Sequence, residues 1–421
     1  MNPRQISLKL LIDWDQQGSY PNLALKNALR TLSDPRDRRF ITALVYGVIE
    51  RKITLDHWIG QCSSRKVHQL SADVLNALRM GFYQIFYMRV PASAACNTTV
   101  QLMKENGNIR SSGFVNAVLR NAAQNMEELL KLKKADYSVR YSISPVLVET
   151  LLAQYGKECF VRMMEGISEP DPSVCLFHNS RQGTAEEFLI KMREEGVVLS
   201  PTLFHGLYKT ENGFSVEEST AFREGWFHVV GLHSAETALH LPKGAKKIMD
   251  LCAAPGGKTF ILAALTDGEV YAFDLHLHKT ENLKKSASRL HHRNVHVQQA
   301  DATKEMKEHL SSFDFVLCDV PCSGLGIIRS KPDIKYKEYD INTLAETQRA
   351  ILENGAAYLA DNGTLIYSTC TIDRRENEET VQSFLENHHD FTLIDQKTYL
   401  PGIDGDGFYY AILRKGKRIE G

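Results

Sequence analysis

Through residues 1–130, apolar side chains recur at the three- and four-residue spacing of amphipathic helices. Three such faces are formed by Leu8, Leu11 and Ile12, by Phe40, Leu44, Tyr46 and Val48, and by Leu75, Leu78, Phe82, Ile85 and Phe86. Proline-containing breaks at Gly18–Pro21, Ser33–Pro35 and Pro91 separate these helices. The pattern predicts an all-α domain over residues 1–130.

The next segment, residues 131–235, mixes helical and extended patterns. It predicts a helix over Tyr141–Tyr155, a turn with two prolines at residues 168–173 and a second helix near Thr184–Glu195. A short apolar run follows the turn. We therefore expect a small mixed α/β connecting domain over residues 131–235.

The pattern changes again from Gly244, where short apolar runs end in small or acidic residues and alternate with helical stretches. The runs are Ile248–Cys252, Val270–Asp274, Val295–Gln299, Phe313–Asp319 and Thr364–Ser368. Strands that alternate with helices predict βαβ units and a mostly parallel sheet with helices on both faces. A last run, Phe408–Leu413, is expected to close the sheet edge, so residues 236–421 form a third, α/β domain.

Composition is that of a globular protein, with 43% hydrophobic and 24% charged residues among 421. The net charge of −1 conceals an asymmetry. Residues 1–140 contain 20 Lys and Arg against 11 Asp and Glu, and the remaining residues contain 30 against 40. A basic first part suggests contact with an anion such as nucleic acid. A solvated helical surface explains the same charges, and the sequence leaves both interpretations open.

The eight cysteines are scattered and form no CxxC pair, so the sequence predicts neither a disulfide framework nor a metal site. Reduced thiols suit a cytoplasmic location. The N-terminal stretch MNPRQISLKLLIDWDQQ lacks the apolar core of a signal peptide. Because no stretch of 18 apolar residues occurs, we also expect no membrane span.

The first candidate for chemistry is DLCAAPGGKT at residues 250–259, which follows a predicted strand and opens a predicted helix. Glycines let the backbone approach a ligand, and the helix N-terminus offers unpaired N–H donors. A P-loop would need glycine where Cys252 stands, and a dinucleotide loop would need a GxGxxG pattern that is absent. A purely structural glycine turn is the alternative.

Acidic residues come at the ends of three successive predicted strands: Asp274, Asp301 and Asp319. In an open α/β sheet, ligands bind beyond the carboxyl ends of the strands. The distance from the glycine loop to Asp274 suits a carboxylate that binds a ribose hydroxyl. Any one of the three, taken alone, is more simply explained as a solvated loop residue.

Two thiols also end strands, Cys322 in DVPCS and Cys370 in STCT. Pro321 stiffens the turn that carries Cys322. Cys370 precedes a predicted helix start, with Asp373 and Glu376 at capping-box spacing, and a thiol at a helix N-terminus tends toward the nucleophilic thiolate. We therefore favour a functional interpretation for this pair and an inert, buried one for Cys252 and Cys318.

At these residues the chain resembles the ribosomal-RNA cytosine-5 methyltransferases of the bacterial Sun/Fmu (RsmB) type. The resemblance rests on DLCAAPGGKT (250–259), DVPCSGLG (319–326), STCT (368–371) followed by Glu376-Asn377, and GDGFYYA (405–411). It extends to a NusB-like RNA-binding domain through LVYGVIER (44–51), RMGFYQIFYMRVPASAACN (79–97) and GFVNAVLR (113–120). Two positions depart from the family pattern: Val320 replaces Ala, and Val229-Val230-Gly231 stands where Val-Gln-Asp is usual.

The resemblance implies a Rossmann-like methyltransferase domain that uses S-adenosyl-L-methionine and acts on small-subunit (16S) ribosomal RNA. It assigns the cofactor to Cys252, Ala253, Ala254, Pro255, Gly256, Gly257, Lys258, Asp274, Asp301 and Asp319. It makes Cys370 the nucleophile, lets Cys322 assist product release and turns Asp319 toward the cytosine. The resemblance also implies no metal and no membrane partner, and we expect a monomer.

Three other interpretations remain at this point. A P-loop-like NTPase requires Cys252 in place of glycine and leaves Cys322 and Cys370 unexplained. An RNA-binding, antitermination-like scaffold with a silent catalytic half is the non-enzyme alternative, against which the intact DVPCS and STCT motifs argue. The third keeps the chemistry but changes the substrate to transfer RNA.

Overall fold

The computed structural model describes residues 2–17, 21–132, 136–169, 171, 173–211 and 213–416. The chain packs into two units. The helical unit comprises Met1–Ala153 and Lys331–Lys337, and the sheet unit comprises Gln154–Ser330 and Glu338–Gly421. The predicted domain boundaries at residues 130 and 235 stay predictions.

The helical unit is built from amphipathic helices around one apolar core. They are α1 (Pro3–Gln17), α2 (Pro21–Leu29), α3 (Pro35–Glu50), α4 (Lys52–Cys62), α5 (Ala72–Phe86), α6 (Ala92–Glu105), α7 (Ile109–Gln124), α8 (Met126–Leu129), α9 (Tyr137–Tyr141) and the first part of α10 (Pro145–Ser168). Leu8, Leu44 and Phe82 are fully buried in that core, which confirms the three predicted helical faces.

Helix boundaries in this unit follow the predicted breaks. Pro35 occupies the first turn of α3, where the Asp34 carboxylate accepts a 2.7 Å hydrogen bond from Arg36 N. Pro91 caps α6, and α2 begins at Pro21, although residues 18–20 of the predicted first break lie outside the described residues. The helix predicted over Tyr141–Tyr155 is confirmed from Pro145 to the kink at Gly156, but its predicted start is wrong, because Ser142 adopts a left-handed φ of 52° that separates α9 from α10.

In the sheet unit, a small antiparallel sheet follows α10. Its elements are β1 (Cys175–His178), α11 (Ala185–Glu194), β2 (Leu199–Pro201), β3 (Leu207–Thr210), α12 (Thr220–Arg223), β4 (Phe227–Val229) and α13 (Leu232–Leu239). The strand order is β2-β3-β1-β4. The helix predicted near Thr184–Glu195 is confirmed: Thr184 and Glu187 form a capping box at the start of α11.

The large sheet has seven strands in the order β10-β11-β9-β8-β5-β6-β7. Its elements are β5 (Lys247–Asp250), α14 (Gly257–Leu265), β6 (Glu269–Asp274), α15 (Leu277–Arg289), β7 (Val295–Gln299), β8 (Phe313–Asp319), α16 (Ile341–Tyr358), β9 (Leu359–Thr369), α17 (Glu378–Asn387), β10 (Phe391–Tyr399) and β11 (Phe408–Lys415). Strands β5 to β9 pair in parallel, and β10 and β11 pair antiparallel. This is the predicted Rossmann-like α/β fold.

One sheet prediction is wrong at the edge. The run Phe408–Leu413 belongs to β11, which lies between β9 and β10 rather than at the margin. The strand at that edge is β10, whose side chains are mostly exposed or half-exposed and which was not predicted, and the strand at the opposite edge is β7. An edge strand next to solvent needs no continuous apolar run.

Candidate active site

The order in which strands are added to the large sheet reverses at β5, so β5 and β8 are neighbours. From β5 the chain moves outward to β6 and β7, and it then returns to build β8 and β9 on the other side. Asp250 at the end of β5 therefore pairs with Leu317, two residues before Asp319 at the end of β8. Such a switch point opens a crevice beyond the strand ends, where α/β proteins bind ligands.

The loop after β5 carries the predicted residues Cys252 to Lys258 into this crevice. Ala253 N donates to Phe273 O at 2.8 Å, which fixes the loop against the end of β6. Gly256 caps α14 with a φ of 109°, and a Cβ there would lie 2.3 Å from the Phe260 ring. Only glycine fits this turn, and the turn lets α14 begin with its N–H groups directed at the crevice.

Lys258 and Asp319 form an ion pair at the switch point. Lys258 Nζ lies 2.6 Å from Asp319 Oδ2, and Ser368 Oγ donates to Asp319 Oδ1 at 2.8 Å. These three side chains come from α14, β8 and β9, so the carboxylate is held from both sides. Both of its oxygens accept hydrogen bonds, one of them from a cation, and such charge-assisted bonds are the strong ones.

The two predicted thiols lie together. Cys322 Sγ and Cys370 Sγ are 3.3 Å apart, well beyond the roughly 2.05 Å of a disulfide bond, so the pair is reduced. The hydrogen bond to Cys370, together with burial, raises the pKa of the Cys322 thiol well above its usual value. Residues from two separate strand ends therefore form one sulfur pair.

Backbone hydrogen bonds join the three motif loops around these sulfurs. Gly326 N donates to Cys370 O at 2.9 Å, and Gly407 N donates to Gly326 O at 2.7 Å. A Cβ at Gly326 would lie 2.1 Å from Gly407 O, so a larger residue would push the loops apart. The glycines of DVPCSGLG and GDGF thus permit the close approach of these loops.

Asp274 and Asp301 lie where the sequence predicts them, at the end of β6 and directly beyond β7. Asp274 Oδ1 accepts from His276 N at 3.1 Å and lies 3.8 Å from Lys279 Nζ. Asp301 accepts from Thr303 N and Oγ1 at 3.1 and 2.6 Å, and the hydroxyl bond is the first cause that lowers the pKa of its carboxyl. Each carboxylate is thereby held in place at a strand end.

A cavity of about 1010 Å³ opens beside the strand ends. Of the predicted residues, Pro255, Lys258, Asp319 and Cys370 line it, whereas the others lie off its wall. The segment Val229–Gly231, which departs from the family pattern, also lines it. Val229, Val230 and Gly231 therefore contribute main chain and apolar surface at this position, with no amide or carboxylate side chain.

Several cavity residues were not among the residues predicted for the site from the sequence. They include Asp171, Lys209, His233, Arg329, Asp404 and Asp406. His233 stacks on Tyr399 with 3.6 Å between ring centroids, and its Nε2 lies 2.5 Å from Asp404 O. Arg329 donates to Gly166 O at 2.6 Å. Their sequence separation hides them, because only the folded chain brings β3, α13 and the GDGF loop to one wall.

The expected helix start at Cys370 is absent. Residues 371–377 form a turn, and α17 begins only at Glu378. Asp373 accepts from Arg375 N, and the Glu376 side chain accepts from Ser323 N, so neither caps a helix in the predicted way. A helix dipole therefore does not act on Cys370, because the first turn of α17 is eight residues further along the chain.

Buried groups beneath the loop are shifted toward their neutral forms. Burial raises the pKa of Asp250 to about 7, and Thr259 Oγ1 donates to its Oδ2 at 2.7 Å. Burial likewise raises the pKa of Cys252 and Cys318 well above the usual thiol value, so both are protonated and poor nucleophiles. This agrees with the inert role expected for these two cysteines.

Within the described ranges, His, Cys, Asp and Glu side chains form no group of three or more that could hold a metal ion. Nor do the helices traced over those ranges include one long and apolar enough to span a bilayer.

Comparisons with known proteins match both units. Residues 237–414 match the family model described as 16S rRNA methyltransferase RsmB/F, and residues 1–124 match that of the NusB family. The "Probable ribosomal RNA small subunit methyltransferase B" of Bacillus subtilis (strain 168) is 35% identical, with 92% of this chain and 89% of that protein covered. The protein of the same name from Synechocystis sp. (strain PCC 6803) is 33% identical over 93% and 90%.

Among solved structures, that of PH0851 matches with a TM-score of 0.80 over 99% of both chains at 23% identity, which supports the fold alone. The donor set of the crevice fits the cofactor of such methyltransferases: main-chain N–H groups at α14 suit a carboxylate, and Asp274 suits ribose hydroxyls. On its full-length similarity to named relatives, the chain belongs to the ribosomal RNA small subunit methyltransferase B family, an S-adenosyl-L-methionine-dependent methyltransferase with an N-terminal NusB domain.

Proposed function

We propose that the chain transfers a methyl group from S-adenosylmethionine to carbon 5 of a cytosine in 16S ribosomal RNA, through a covalent bond between Cys370 and the base. The observation that carries this proposal is the thiol pair: Cys370 lines the same cavity as Asp319, with Cys322 Sγ 3.3 Å from its own sulfur. The products are 5-methylcytosine and S-adenosylhomocysteine.

Cytosine needs activation because its carbon 5 is a poor nucleophile. When Cys370 Sγ adds to carbon 6, the electron pair of the carbon 5–carbon 6 double bond becomes available at carbon 5. Bound S-adenosylmethionine supplies a methyl group on a positively charged sulfur, and carbon 5 takes it. Cys322, directly or through water, then takes the proton from carbon 5. The electron pair of that C–H bond reforms the carbon 5–carbon 6 double bond as the Sγ–carbon 6 bond breaks, which restores the aromatic base and returns Cys370 as a thiolate.

Asp319 and Cys322 have the other chemical roles in this proposal. Asp319, held by Lys258 and Ser368, faces the ring and stabilises charge that develops on the base. Cys322 assists release, directly or through water, because its sulfur is within 3.3 Å of the sulfur that must leave. Both groups are held before the substrate arrives, so little reorganisation is required during the reaction.

We assign the cofactor to the loop Cys252–Lys258 and to the acids at the strand ends. Main-chain N–H groups at the start of α14 and Lys258 would bind the methionine end, Asp274 the ribose and Asp301 the adenine side. Asp319 would contact both the cofactor and the base. This assignment follows the carboxyl ends of four neighbouring strands, which lie in the order β8, β5, β6 and β7.

The RNA would be bound by two parts of the chain. The NusB-like unit carries the basic excess of the first 140 residues and would hold the RNA backbone, with salt-sensitive affinity. The target base must be splayed out of its strand to reach Cys370. We expect a monomer that acts in the cytoplasm.

Cysteine variants test the proposal. Cys370→Ala should lose methyl transfer to 16S rRNA, because it removes the thiol that adds to carbon 6. Cys322→Ala should accumulate a protein–RNA adduct that survives denaturing electrophoresis, because release is impaired. Transfer is measured with radiolabelled S-adenosylmethionine, and the product is located by bisulfite mapping.

The matched control is Cys159→Ala, which removes a half-buried thiol from α10 and should leave transfer unchanged. An active Cys370→Ala enzyme would refute the covalent mechanism. Methylation of transfer RNA with 16S rRNA left unmodified would refute the substrate assignment, and tight ATP binding without S-adenosylmethionine binding would revive the P-loop interpretation.

A further inference from the structure

The two thiols of the candidate active site are close enough to react with each other. Cys322 Sγ and Cys370 Sγ lie 3.3 Å apart, and the sulfur atoms of a disulfide lie roughly 2.05 Å apart. The two atoms therefore need to approach by only about 1.25 Å to form a bond.

The loops that carry the two sulfurs are joined to each other directly behind them. Ser323 follows Cys322, and its Oγ lies 2.7 Å from Oγ1 of Thr371, which follows Cys370. The side chains of Ser323 and Thr371 are at most 2% exposed, so this contact is shielded from water. The loops are thus held side by side independently of any bond between the sulfurs.

The two thiols differ in their access to small molecules. Cys370 lines the cavity of about 1010 Å³, whereas Cys322 lies off its wall. A small oxidant that enters the cavity therefore meets Cys370 first, with the second sulfur in contact with it. Cys175 of β1 lines the same cavity, which makes it a natural comparison.

Oxidation of a thiol proceeds in steps, and only the first of them is readily reversed. A peroxide converts a thiol into a sulfenic acid, and a neighbouring thiol can condense with the sulfenic acid to a disulfide. Without such a neighbour, further oxidation gives sulfinic and sulfonic acids, which thiol reductants do not reverse. Two sulfurs in contact are the arrangement that stops oxidation at the disulfide.

We propose that Cys322 and Cys370 form a reversible oxidation site, at which a peroxide links the two sulfurs and a thiol reductant separates them again. Cys370 Sγ first attacks one oxygen of hydrogen peroxide, so that an S–O bond forms, the O–O bond breaks and water leaves with the thiol proton. Cys322 Sγ then attacks Cys370 Sγ, so that the S–S bond forms, the S–O bond breaks and a second water leaves with the Cys322 proton. The two thiols lose two electrons and two protons, and one peroxide becomes two molecules of water.

The consequence for activity rests on the proposed function. A disulfide removes Cys370 Sγ as the nucleophile, so methyl transfer stops while the pair is linked and resumes after reduction. Cys322 then has a second task besides product release, because it keeps the oxidation of Cys370 at a stage that reduction can reverse.

The test treats the full chain, without RNA or S-adenosylmethionine, with hydrogen peroxide and then blocks the remaining thiols with N-ethylmaleimide. Endoproteinase Asp-N cleaves before Asp319, so Cys318 and Cys322 fall on different peptides in the mass spectrum. The peptides of Cys322 and Cys370 should be linked, with two hydrogens lost. Methyl transfer to 16S rRNA should fall to background as the link forms, and dithiothreitol should restore both thiols and the transfer.

Two variants separate the roles of the sulfurs. In Cys322→Ser, the same treatment should carry Cys370 to the sulfinic acid, which dithiothreitol does not reverse. The readout is the oxidation state of Cys370, because the proposed function already places Cys322 in product release. Cys175→Ala is the matched control: it removes a thiol from the same cavity and should leave the link between Cys322 and Cys370 unchanged.

Sulfinic acid at Cys370 of the unmodified protein, with no link to Cys322, would overturn the proposal even if Cys322→Ser failed to fold. A link from Cys370 to Cys175 in place of Cys322 would overturn it as well. The link is detected chemically and needs no methyl transfer. Failure of the proposed function would therefore appear separately, as an active Cys370→Ala enzyme.

Discussion

At the scale of single residues, the environment distinguishes cysteines that have the same chemistry in solution. Cys318 is fully buried in β8, and burial raises its pKa far beyond the usual thiol value. Cys370, by contrast, reaches the cavity wall and contacts a second thiol. Thiolate character decides nucleophilicity, so position alone separates inert sulfur from sulfur that can react.

Asp250 yields a prediction about stability. Burial raises its pKa to about 7, so the folded chain holds a proton on Asp250 that the unfolded chain releases near its usual, lower pKa. The native state therefore loses stability as the pH rises toward 7, and the full cost applies above that value. Asp250→Asn keeps an acceptor for Thr259 Oγ1 and removes the cost. Relative to the unmodified protein, the variant should gain roughly 4 kcal/mol of unfolding free energy between about pH 4 and about pH 8.

The measurement is urea unfolding at several pH values, followed by pulsed hydrogen–deuterium exchange of peptides from β5, β6 and β8. Asp361→Asn, at an exposed carboxyl of β9, is the control and should show a pH-independent difference. If the difference in unfolding free energy between Asp250→Asn and the unmodified protein were also independent of pH, Asp250 would ionise in the folded chain as it does in the unfolded one.

At the scale of elements, apolar runs predicted the interior strands of the sheet and one of its two edge strands, β7. Phe313–Asp319 and Val295–Gln299 match β8 and β7 in both bounds. Of the two edge strands, both with mostly exposed or half-exposed side chains, β7 was predicted and β10 was not. The helix start near Cys370 was wrong because Glu376 is bonded to Ser323, 53 positions earlier. Local pattern predicts elements, whereas a bond between distant residues is visible only in the folded chain.

The same limit applies to the candidate site. The motifs located Lys258, Asp319, Cys322 and Cys370, because each stands at a strand end or a helix start that the pattern marks. The cavity wall contributed by His233 and Arg329 could not be predicted, since neither stands in a recognisable spacing relative to the strand ends. Its position depends on how β1 to β4 and the GDGF loop pack against the large sheet.

Packing between helices yields a second prediction, at Arg79 of α5. This guanidinium is 2% exposed and pairs with Asp56 of α4 at 2.6 Å and with Asp15 of α1 at 2.8 Å. Arg79→Met should destabilise the helical unit by about 3–5 kcal/mol, because it removes the cation paired with Asp56 and leaves Asp15 with Lys52 alone. Exchange of peptides from α1, α4 and α5 in urea measures the loss.

Arg36→Met is the matched control. Arg36 is 84% exposed and pairs with Asp34 at 3.3 Å, so its loss should cost less than about 1 kcal/mol. Equal effects of the two substitutions would contradict the claim that Arg79 joins three helices. Arg79→Lys should fall between them, since a lysine cannot reproduce the paired bonds to Asp56.

At the scale of the whole molecule, neither unit is formed by one continuous segment of the chain. Lys331–Lys337 belongs to the helical unit, where Tyr336 OH lies 2.8 Å from Ser142 Oγ and donates to Glu50 O at 2.9 Å. Lys335 is 3% exposed there, and burial lowers its pKa to about 8. Deleting residues 1–130 would remove the helices against which these side chains pack, including the Glu50 carbonyl that accepts from Tyr336. A test of RNA binding by the helical unit therefore requires surface substitutions in the full chain.

The charge asymmetry makes that test quantitative. Arg39, Lys66 and Arg120 are exposed on the helical unit, and each phosphate contact contributes about 0.7–0.9 to the slope of log affinity against log salt. Replacing all three with Gln should weaken binding to a 16S rRNA fragment and flatten the slope by roughly 2–3, as measured by fluorescence anisotropy across about 50–300 mM salt. Lys284, Lys285 and Arg293, also exposed but on the sheet unit, are the matched triple and should leave the slope unchanged. If the second triple flattened the slope and the first did not, the RNA backbone would lie on the sheet unit and the basic helical surface would be only a solvated face.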